Sequence, residues 1–468
     1  MSVQIKFGTD GWRAIIAHEF TTDNVARVAQ ATALRIIETQ SNPLVVIGHD
    51  CRFGGELFAE TTAKVMSNKG IKVLLAKGIT STPMVSLGCF KHNATFGVVI
   101  TASHNPASYN GYKLKSYFGG PSSPDEIDAV ERLIPLSVDI PIISMEELVQ
   151  TNKVEYIDLE TLYFEHVEKN FDMHTIRNCG KVFAYDAMYG AGQNIVKRLM
   201  PEVVSLHCEQ NPTFNGTAPE PLHKNLLEFS ELIANSTDID FGFANDGDAD
   251  RVGAYDSKGR YIDSHHVILL LIHYLHIYKK FTGKVVIAFS VSDKVKKLCK
   301  AYNIPYVVTK IGFKYICDIM VHEDVLLGGE ESGGIAIKGH IPERDGVWNA
   351  ITLIEFMART GKSIEELIEE VYAVVGAFDY NRYDLHITEP LKRSIIEKCK
   401  TNAYQSFGKY PIIRVEDVDG WKFYLDEESW VMVRASGTEP VLRVYCESEN
   451  MERVLDMLDN AKATLLSE

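Results

Sequence analysis

Short runs of branched apolar residues, each closed by a polar or glycine-rich turn, recur along the chain. Leu44-Val45-Val46-Ile47 runs into Gly48-His49-Asp50, and Val73-Leu74-Leu75 runs into Lys77-Gly78. The same pattern returns at Lys181–Tyr185 before Asp186, and at Phe241–Ala244 before Asn245-Asp246. It appears again at Val285-Val286-Ile287 before Phe289-Ser290, and at Val325-Leu326-Leu327 before Gly328-Gly329-Glu330. Runs of this length, separated by helical lengths, predict α/β layers on a mixed or parallel sheet. Thr22-Asp23 before Val25, Val28 and Ala29 predicts a helix start. Capping boxes are predicted at Ser123-Pro124-Asp125-Glu126 and Ser363-Ile364-Glu365-Glu366.

Beyond residue 376 the spacing changes. Trp430-Val431-Met432-Val433 reads as a strand and the stretch after Asn450 as a closing helix, so this region is expected to be α+β. Turn clusters set the expected domains at 1–150, 151–258, 259–376 and 377–468. The first boundary follows the Pro/Ser-rich stretch 135–144, and the second falls at Ser257-Lys258-Gly259. In open α/β sheets ligands bind beyond the carboxyl ends of strands. Each polar cluster here lies at such an end, so several domains are expected to aim loops at one cleft.

A length of 468 residues accommodates several cores, and 46% hydrophobic with 24% charged residues is ordinary for a globular protein. The formal net charge of −15 speaks against nucleic-acid or anionic-membrane partners. The longest apolar run, Val267–Leu275, is too short to span a bilayer, and the first residues carry no signal-peptide pattern. The 8 cysteines form no C-x-x-C pair, which fits reduced thiols and a cytoplasmic location.

Four motifs carry chemistry. The apolar run Val98-Val99-Ile100 ends in Thr101-Ala102-Ser103-His104-Asn105-Pro106, with Lys113 just past an expected Asn110-Gly111 turn. A serine beside a histidine is a candidate nucleophile, and a capping serine in a turn is the plain alternative. Asn245-Asp246-Gly247-Asp248-Ala249-Asp250-Arg251 alternates three carboxylates, which are hard ligands for a small cation such as Mg²⁺. An EF-hand is excluded, because Arg251 and Ser257 stand where that loop needs glycine and glutamate. Arg434-Ala435-Ser436-Gly437-Thr438-Glu439-Pro440 combines exposed N–H groups, hydroxyls and a planar cation, a set suited to phosphate. Gly328-Gly329-Glu330-Glu331-Ser332-Gly333-Gly334 offers carboxylate and hydroxyl groups suited to sugar hydroxyls. Arg13, Lys310 and Lys314 are further candidate cations.

At these motifs the chain resembles the α-D-phosphohexomutase family, the phosphoglucomutases and phosphomannomutases. TASHNP, DGDADR, GEESGG and RASGTEP stand in the family's order along the whole chain. The resemblance implies four domains around a central cleft, the first three of similar α/β topology. It implies hexose 1-phosphate to 6-phosphate interconversion through phosphoserine at Ser103 and a hexose 1,6-bisphosphate, which also serves as primer. Mg²⁺ would be held by Asp246, Asp248, Asp250 and the Ser103 phosphoryl group. Arg13, His104, Lys113 and Arg251 would move protons or stabilise charge. Lys310, Gly312, Lys314, Glu330, Ser332 and His340 would contact the phosphosugar, and Arg434, Ser436, Gly437 and Thr438 its non-transferred phosphate. "GFK" at 312–314, "HIPERDGVW" at 340–348 and the absence of a histidine at Gly334 point to glucose over mannose or glucosamine. Two rivals stay open at this stage. One is a haloacid-dehalogenase-like phosphatase with an aspartate nucleophile, and the other is a non-catalytic sugar-phosphate sensor.

Overall fold

The computed structural model describes residues 4–8, 10–435 and 441–467. The first sheet has the order β1-β5-β4-β2-β3-β6, with β1 (Trp12–Ile15), β2 (Leu44–His49), β3 (Lys72–Ile79), β4 (Phe96–Ile100), β5 (Tyr109–Ser116) and β6 (Val154–Ile157). The second runs β11-β10-β9-β7-β8, with β7 (Val182–Asp186), β8 (Val204–Leu206), β9 (Ile239–Asn245), β10 (Val252–Asp256) and β11 (Tyr261–Ile262). The third runs β13-β12-β14-β15, with β12 (Lys284–Ala288), β13 (Tyr306–Thr309), β14 (Val325–Gly329) and β15 (Ile335–Ile337).

One unit repeats in all three sheets. Two parallel neighbours (β3-β2, β8-β7, β13-β12) are followed by a third parallel strand (β4, β9, β14) and then an antiparallel fourth (β5, β10, β15). The three central motifs occupy the same place in this unit, the turn from its third strand to its fourth. The serine loop joins β4 to β5, the aspartate loop β9 to β10, and the GEESGG loop β14 to β15. The last region is antiparallel, in the order β16-β22-β21-β20-β19. Its strands are β16 (Asp379–His386), β19 (Arg414–Glu416), β20 (Trp421–Tyr424), β21 (Trp430–Ala435) and β22 (Val441–Ser448), with β17 (Ser406–Phe407) and β18 (Tyr410–Pro411) as a small separate hairpin.

Packing follows the hydrophobic pattern. Val25, Val28, Ala29 and Ile36 recur at helical spacing and are buried in the helix Thr22–Thr39, which the Thr21 hydroxyl caps by accepting from Asn24 N–H. One continuous apolar cluster links the first three units, from Val46 through Phe243 and Leu327 to Phe378. The helix Met451–Leu466 packs on the last sheet around Val433, Val444 and Leu458, in a core of its own. Among the described residues no helix is long and apolar enough to cross a membrane.

Three expectations change. Residues 154–157 pair with β3 and complete the first sheet, so that unit runs past 150. Ser257-Lys258-Gly259 is the hairpin turn between β10 and β11, so the second sheet closes at Ile262, a few residues past the expected boundary. Asn110-Gly111 is strand, paired with β1, and makes no turn. A Cβ on Gly111 would lie 2.4 Å from Thr101 O, so the glycine serves close approach. The Ser363 capping box is complete. At Ser123 the hydroxyl accepts from Glu126 N–H, while the Glu126 carboxylate is held by Arg35 at 2.6 Å.

Candidate active site

β4 is wholly buried and ends at Ile100, so the chain enters the serine loop from a fixed base. Ser103 is 1% exposed and holds φ +52°, a left-handed conformation that costs a non-glycine residue of order 1 kcal/mol or more. Its N–H donates to Thr101 Oγ1 at 2.9 Å. Its hydroxyl donates to Asp246 Oδ2 at 2.7 Å and lies 3.4 Å from His104 Nδ1. The serine loop and the aspartate loop touch backbone to backbone. A side chain at Gly247 would come within 2.5 Å of Ser103 O.

Asp246, Asp248 and Asp250 are fully buried, and one oxygen of each lies within 4.8 Å of the others. Among the described residues this is the only cluster with such spacing. Asp246 Oδ1 accepts from the N–H groups of Asp250 and Arg251, which folds the loop around the carboxylates. Thr82, at the start of the helix Thr82–Lys91, binds the loop through its hydroxyl to Asp248 Oδ2 at 2.6 Å and its N–H to Asp248 O at 3.0 Å.

The carboxylates are unevenly charged. Burial and the negative neighbours Asp248 and Asp250 push the Asp246 carboxyl well above the usual range. Burial also acts on Asp248, but the Lys113 ammonium at 2.8 Å overcomes it and holds that carboxyl well below the range. Asp248 Oδ1 and Asp250 Oδ1 are buried with no hydrogen-bond partner. Two orphaned oxygens, an all-oxygen donor set and a third carboxyl driven up by its neighbours fit a hard divalent cation.

Cations ring this triad. Lys113, on β5, also pairs with Asp10 at 2.8 Å and Asp250 at 3.3 Å. Burial lowers its pKa, but the three carboxylates raise it further and keep it protonated. Arg13, on β1, donates to Asn105 Oδ1 at 2.6 Å. Arg251 lies 3.4 Å from Glu220. His104 is driven well below its ordinary pKa by burial and by Arg251 and Arg13, so it is neutral near pH 7.

The GEESGG loop is fastened to the end of the aspartate loop. Val252 N–H donates to Gly333 O at 3.2 Å, and Arg251 forms a bridge with Gly334. Glu330 is buried and accepts from Gly312 N–H at 2.9 Å. Burial pushes its carboxyl up to about 7, against the pull of Arg344. Ser332 is half-buried beside it. Gly312 precedes the helix Phe313–His322. Lys314, in that helix, lines a cavity of about 110 Å³ with Asp10 and Gly11, whereas Lys310 is exposed. Arg434 stands one residue before the end of β21 and lies 3.4 Å from Asp419, whose other oxygen accepts from Ile311 N–H at 2.9 Å. That chain of contacts ties the last sheet to the 309–314 loop. Ser436, Gly437 and Thr438 lie outside the described residues.

His340 is a correction. Its side chain is 1% exposed, stacked on Trp348 at 4.0 Å, and bonded to Asp345 at 2.9 Å and His166 at 3.2 Å. It packs the second unit against the third and faces no cleft. The residue of the "HIPERDGVW" stretch that reaches the site is Arg344, which pairs with Asp10 at 2.6 Å and Asp250 at 2.8 Å. Neither Arg344 nor Asp10 stands out in the sequence, where each is a single charged residue next to or near a glycine, at Asp10-Gly11 and Arg344-Asp345-Gly346. A Cβ on Gly334 would lie 2.5 Å from Arg344 Cδ, so the arginine stem fills the space a side chain there would take.

Comparison with known proteins places the chain in one family. Family models described as phosphoglucomutase/phosphomannomutase match four successive stretches. Alpha/beta/alpha domain I matches residues 4–136, domain II 161–259, domain III 263–375 and the C-terminal domain 401–462. The chain is 29% identical over 459 residues to a phosphoglucomutase/phosphomannomutase of Thermococcus kodakarensis, covering 97% of this chain and 96% of that one. It is 29% identical over 414 residues to a phosphoglucosamine mutase of Methanococcus aeolicus, covering 87% and 88%. A crystal structure from Thermus thermophilus, ascribed to a phosphomannomutase, superposes with TM-score 0.88 at 33% identity, covering 99% of this chain and all of the other.

Proposed function

Since the chain belongs to the phosphoglucomutase/phosphomannomutase family, whose members are phosphohexose mutases, we propose that it interconverts glucose 1-phosphate and glucose 6-phosphate through phosphoserine at Ser103. The observation that carries this reading is the pairing of Ser103 Oγ with Asp246 at 2.7 Å inside a buried triad of carboxylates. A capping serine would accept from a backbone N–H two or three residues on, whereas the Ser103 hydroxyl donates to a buried carboxylate.

Phosphoserine 103 gives its phosphoryl group to the free hydroxyl of the hexose monophosphate. The Ser103 Oγ–P bond breaks, the sugar O–P bond forms, and the hydroxyl proton passes to a base in the cleft. The neutral His104 imidazole, 3.4 Å from Ser103 Oγ, is suited to take it. The 1,6-bisphosphate turns over in the cleft, and Ser103 accepts the other phosphoryl group. Asp246, Asp248, Asp250 and a phosphoryl oxygen on Ser103 would hold Mg²⁺, which supplies positive charge against the transferring phosphoryl oxygens. Lys113, Arg13 and Arg251 add fixed positive charge around the same group. Glu330, Ser332 and Gly312 are assigned to sugar hydroxyls. Arg434 with Ser436, Gly437 and Thr438 is assigned to the distal phosphate, with Lys310 and Lys314 at the mouth.

Glucose preference rests on "GFK", on the "PERDG" arginine and on Gly334, whose space Arg344 occupies. A second reading, glucosamine phosphate, is favoured by the similarity to phosphoglucosamine mutases at the same identity. Comparing kcat/KM for the 1-phosphates of glucose, mannose and glucosamine decides between them. The chemistry itself is tested by priming. Enzyme stripped of phosphate is expected to be silent with glucose 1-phosphate and to recover with glucose 1,6-bisphosphate. Intact mass then shows one phosphate on the Ser103 peptide. Turnover by Ser103→Ala, or by unprimed dephosphorylated enzyme, would overturn the proposal.

A further inference from the structure

Arg52 belongs to the turn after β2, on a stretch assigned to no part of the chemistry so far. Its side chain is fully buried. One nitrogen of its guanidinium, Nη2, donates to Ser103 O and Asn105 O, both at 2.6 Å. The other, Nη1, donates to Pro106 O at 2.8 Å and Tyr109 O at 3.0 Å. The fork therefore gathers four carbonyls of the serine loop around one cation.

The Ser103 peptide is held from its other side too. Asp50 lies 3.2 Å from Arg52 Nε and accepts from the Thr101 hydroxyl at 2.5 Å. The same hydroxyl accepts Ser103 N–H. Both polar groups of the Ser103 backbone thus end on one Asp50–Arg52 unit. Phe214, from the second unit, lies 4.9 Å from the guanidinium and closes the space behind it. Ser103 holds a left-handed φ of +52°, which persists only where the surroundings over-determine it.

We infer that Arg52 is the positioning residue of the nucleophile loop: through Asp50 and the four carbonyls it holds Ser103 in the strained conformation that aims Oγ at the aspartate triad. It touches neither substrate nor phosphoryl group and acts through the loop backbone. Charge alone does not suffice. A lysine carries one nitrogen and cannot reach acceptors spread from residue 103 to residue 109, whereas the planar fork can. Loosening the loop moves Oγ from the in-line position without altering the sugar or phosphate contacts, so the loss falls on kcat. This inference rests on Ser103 being the phosphoryl carrier.

The test compares wild type, Arg52→Lys and Arg52→Ala, each primed with glucose 1,6-bisphosphate and Mg²⁺, with glucose 1-phosphate as substrate. Arg52→Lys is expected to lower kcat roughly 100-fold or more with KM within about threefold. Its phosphoserine, labelled at Ser103, is expected to lose at least about tenfold in the ratio of transfer to sugar over hydrolysis by water. Added guanidinium, at tens of millimolar, is expected to restore part of the kcat of Arg52→Ala and none of that of Arg52→Lys. A folded Arg52→Lys with kcat within about threefold of wild type overturns the inference, as does a loss confined to KM. Where Arg52→Ala does not fold, Arg52→Lys is read together with Thr101→Val, which cuts the other half of the clamp and is expected to show the same kcat loss. The mutase reading is judged separately on wild type. Wild type that never carries phosphate on Ser103 sinks that reading, whereas phosphorylated, active wild type with an indifferent Arg52→Lys sinks the clamp alone.

Discussion

Replacing Lys115 by methionine removes half of an ion pair on which the cleft is built. Lys115 Nζ lies 2.7 Å from Glu343 Oε2, and both side chains are 0% exposed. The pair joins β5, which carries Lys113, to the segment that carries Arg344. Methionine keeps the length of the stem and leaves the buried carboxylate with only the Arg344 guanidinium, 3.8 Å away, as a cation. Breaking such a pair from one side costs about 3–5 kcal/mol. Glu343 retains the Ser86 hydroxyl at 2.9 Å and Arg344 N–H at 3.1 Å, so the lower end, about 3 kcal/mol, is expected. At a urea m-value of roughly 2 kcal/mol/M, this shifts the midpoint of the first unfolding transition by about 1.5 M. The assay is urea unfolding of wild type, Lys115→Met, Glu343→Gln and the double variant. The double variant is expected to lose less than the sum of the singles by about 2 kcal/mol, because removing both partners leaves no unpaired charge. Since Glu343 orients Arg344, Lys115→Met is also expected to weaken hexose phosphate binding. A Lys115→Met midpoint within about 0.3 M of wild type would refute the reasoning.

Asp248→Ala is expected to abolish turnover while the fold persists, with Mg²⁺ binding lost by titration calorimetry; near-normal activity at ordinary Mg²⁺ removes the metal assignment. Arg434→Ala is expected to raise KM for hexose phosphates about ten- to a hundredfold, since a lost charge-assisted fork is worth ~1.5–3 kcal/mol, and unchanged kinetics would move the distal phosphate elsewhere. Glucose 1-phosphate is expected to exceed mannose 1-phosphate in kcat/KM, and equality would discard the sugar choice while sparing the mechanism. Burial raises the Glu447 carboxyl to about 7, so the folded protein holds that proton where the unfolded chain has lost it. This group's contribution to stability is therefore present below about pH 4.5 and is lost as pH rises to 7. Glu447→Gln should flatten the fall of Tm between pH 5 and pH 8; an unchanged slope contradicts the burial argument.

The local pattern in the chain determined much of this protein. Buried strands such as Val45-Val46-Ile47 and Val98-Val99-Ile100 announce themselves because period and branching depend only on neighbours. Ser363 announces a helix start for the same reason, and Thr22-Asp23 does so one residue inside the cap that Thr21 makes. The serine and aspartate motifs were legible because each is a short run whose residue types already suit one chemistry. What the tertiary structure decided are the partners. Arg344 meets Asp10 across 334 residues, and Lys113 meets Asp248 across 135. Arg52 finds Ser103 only because β2 and β4 lie side by side in the sheet. A charged residue by itself carries no sign of whether it will be solvated or locked to a distant group. His340 shows the reverse, since it stands beside the PERDG segment, yet stacking on Trp348 turns it into the packing. Asn110-Gly111 likewise has turn chemistry in isolation and becomes strand because β1 and Thr101 crowd its backbone. Hydrophobic periodicity is a property of neighbours along the chain, whereas ion pairs and clamps depend on which loops the three repeated units bring to one place.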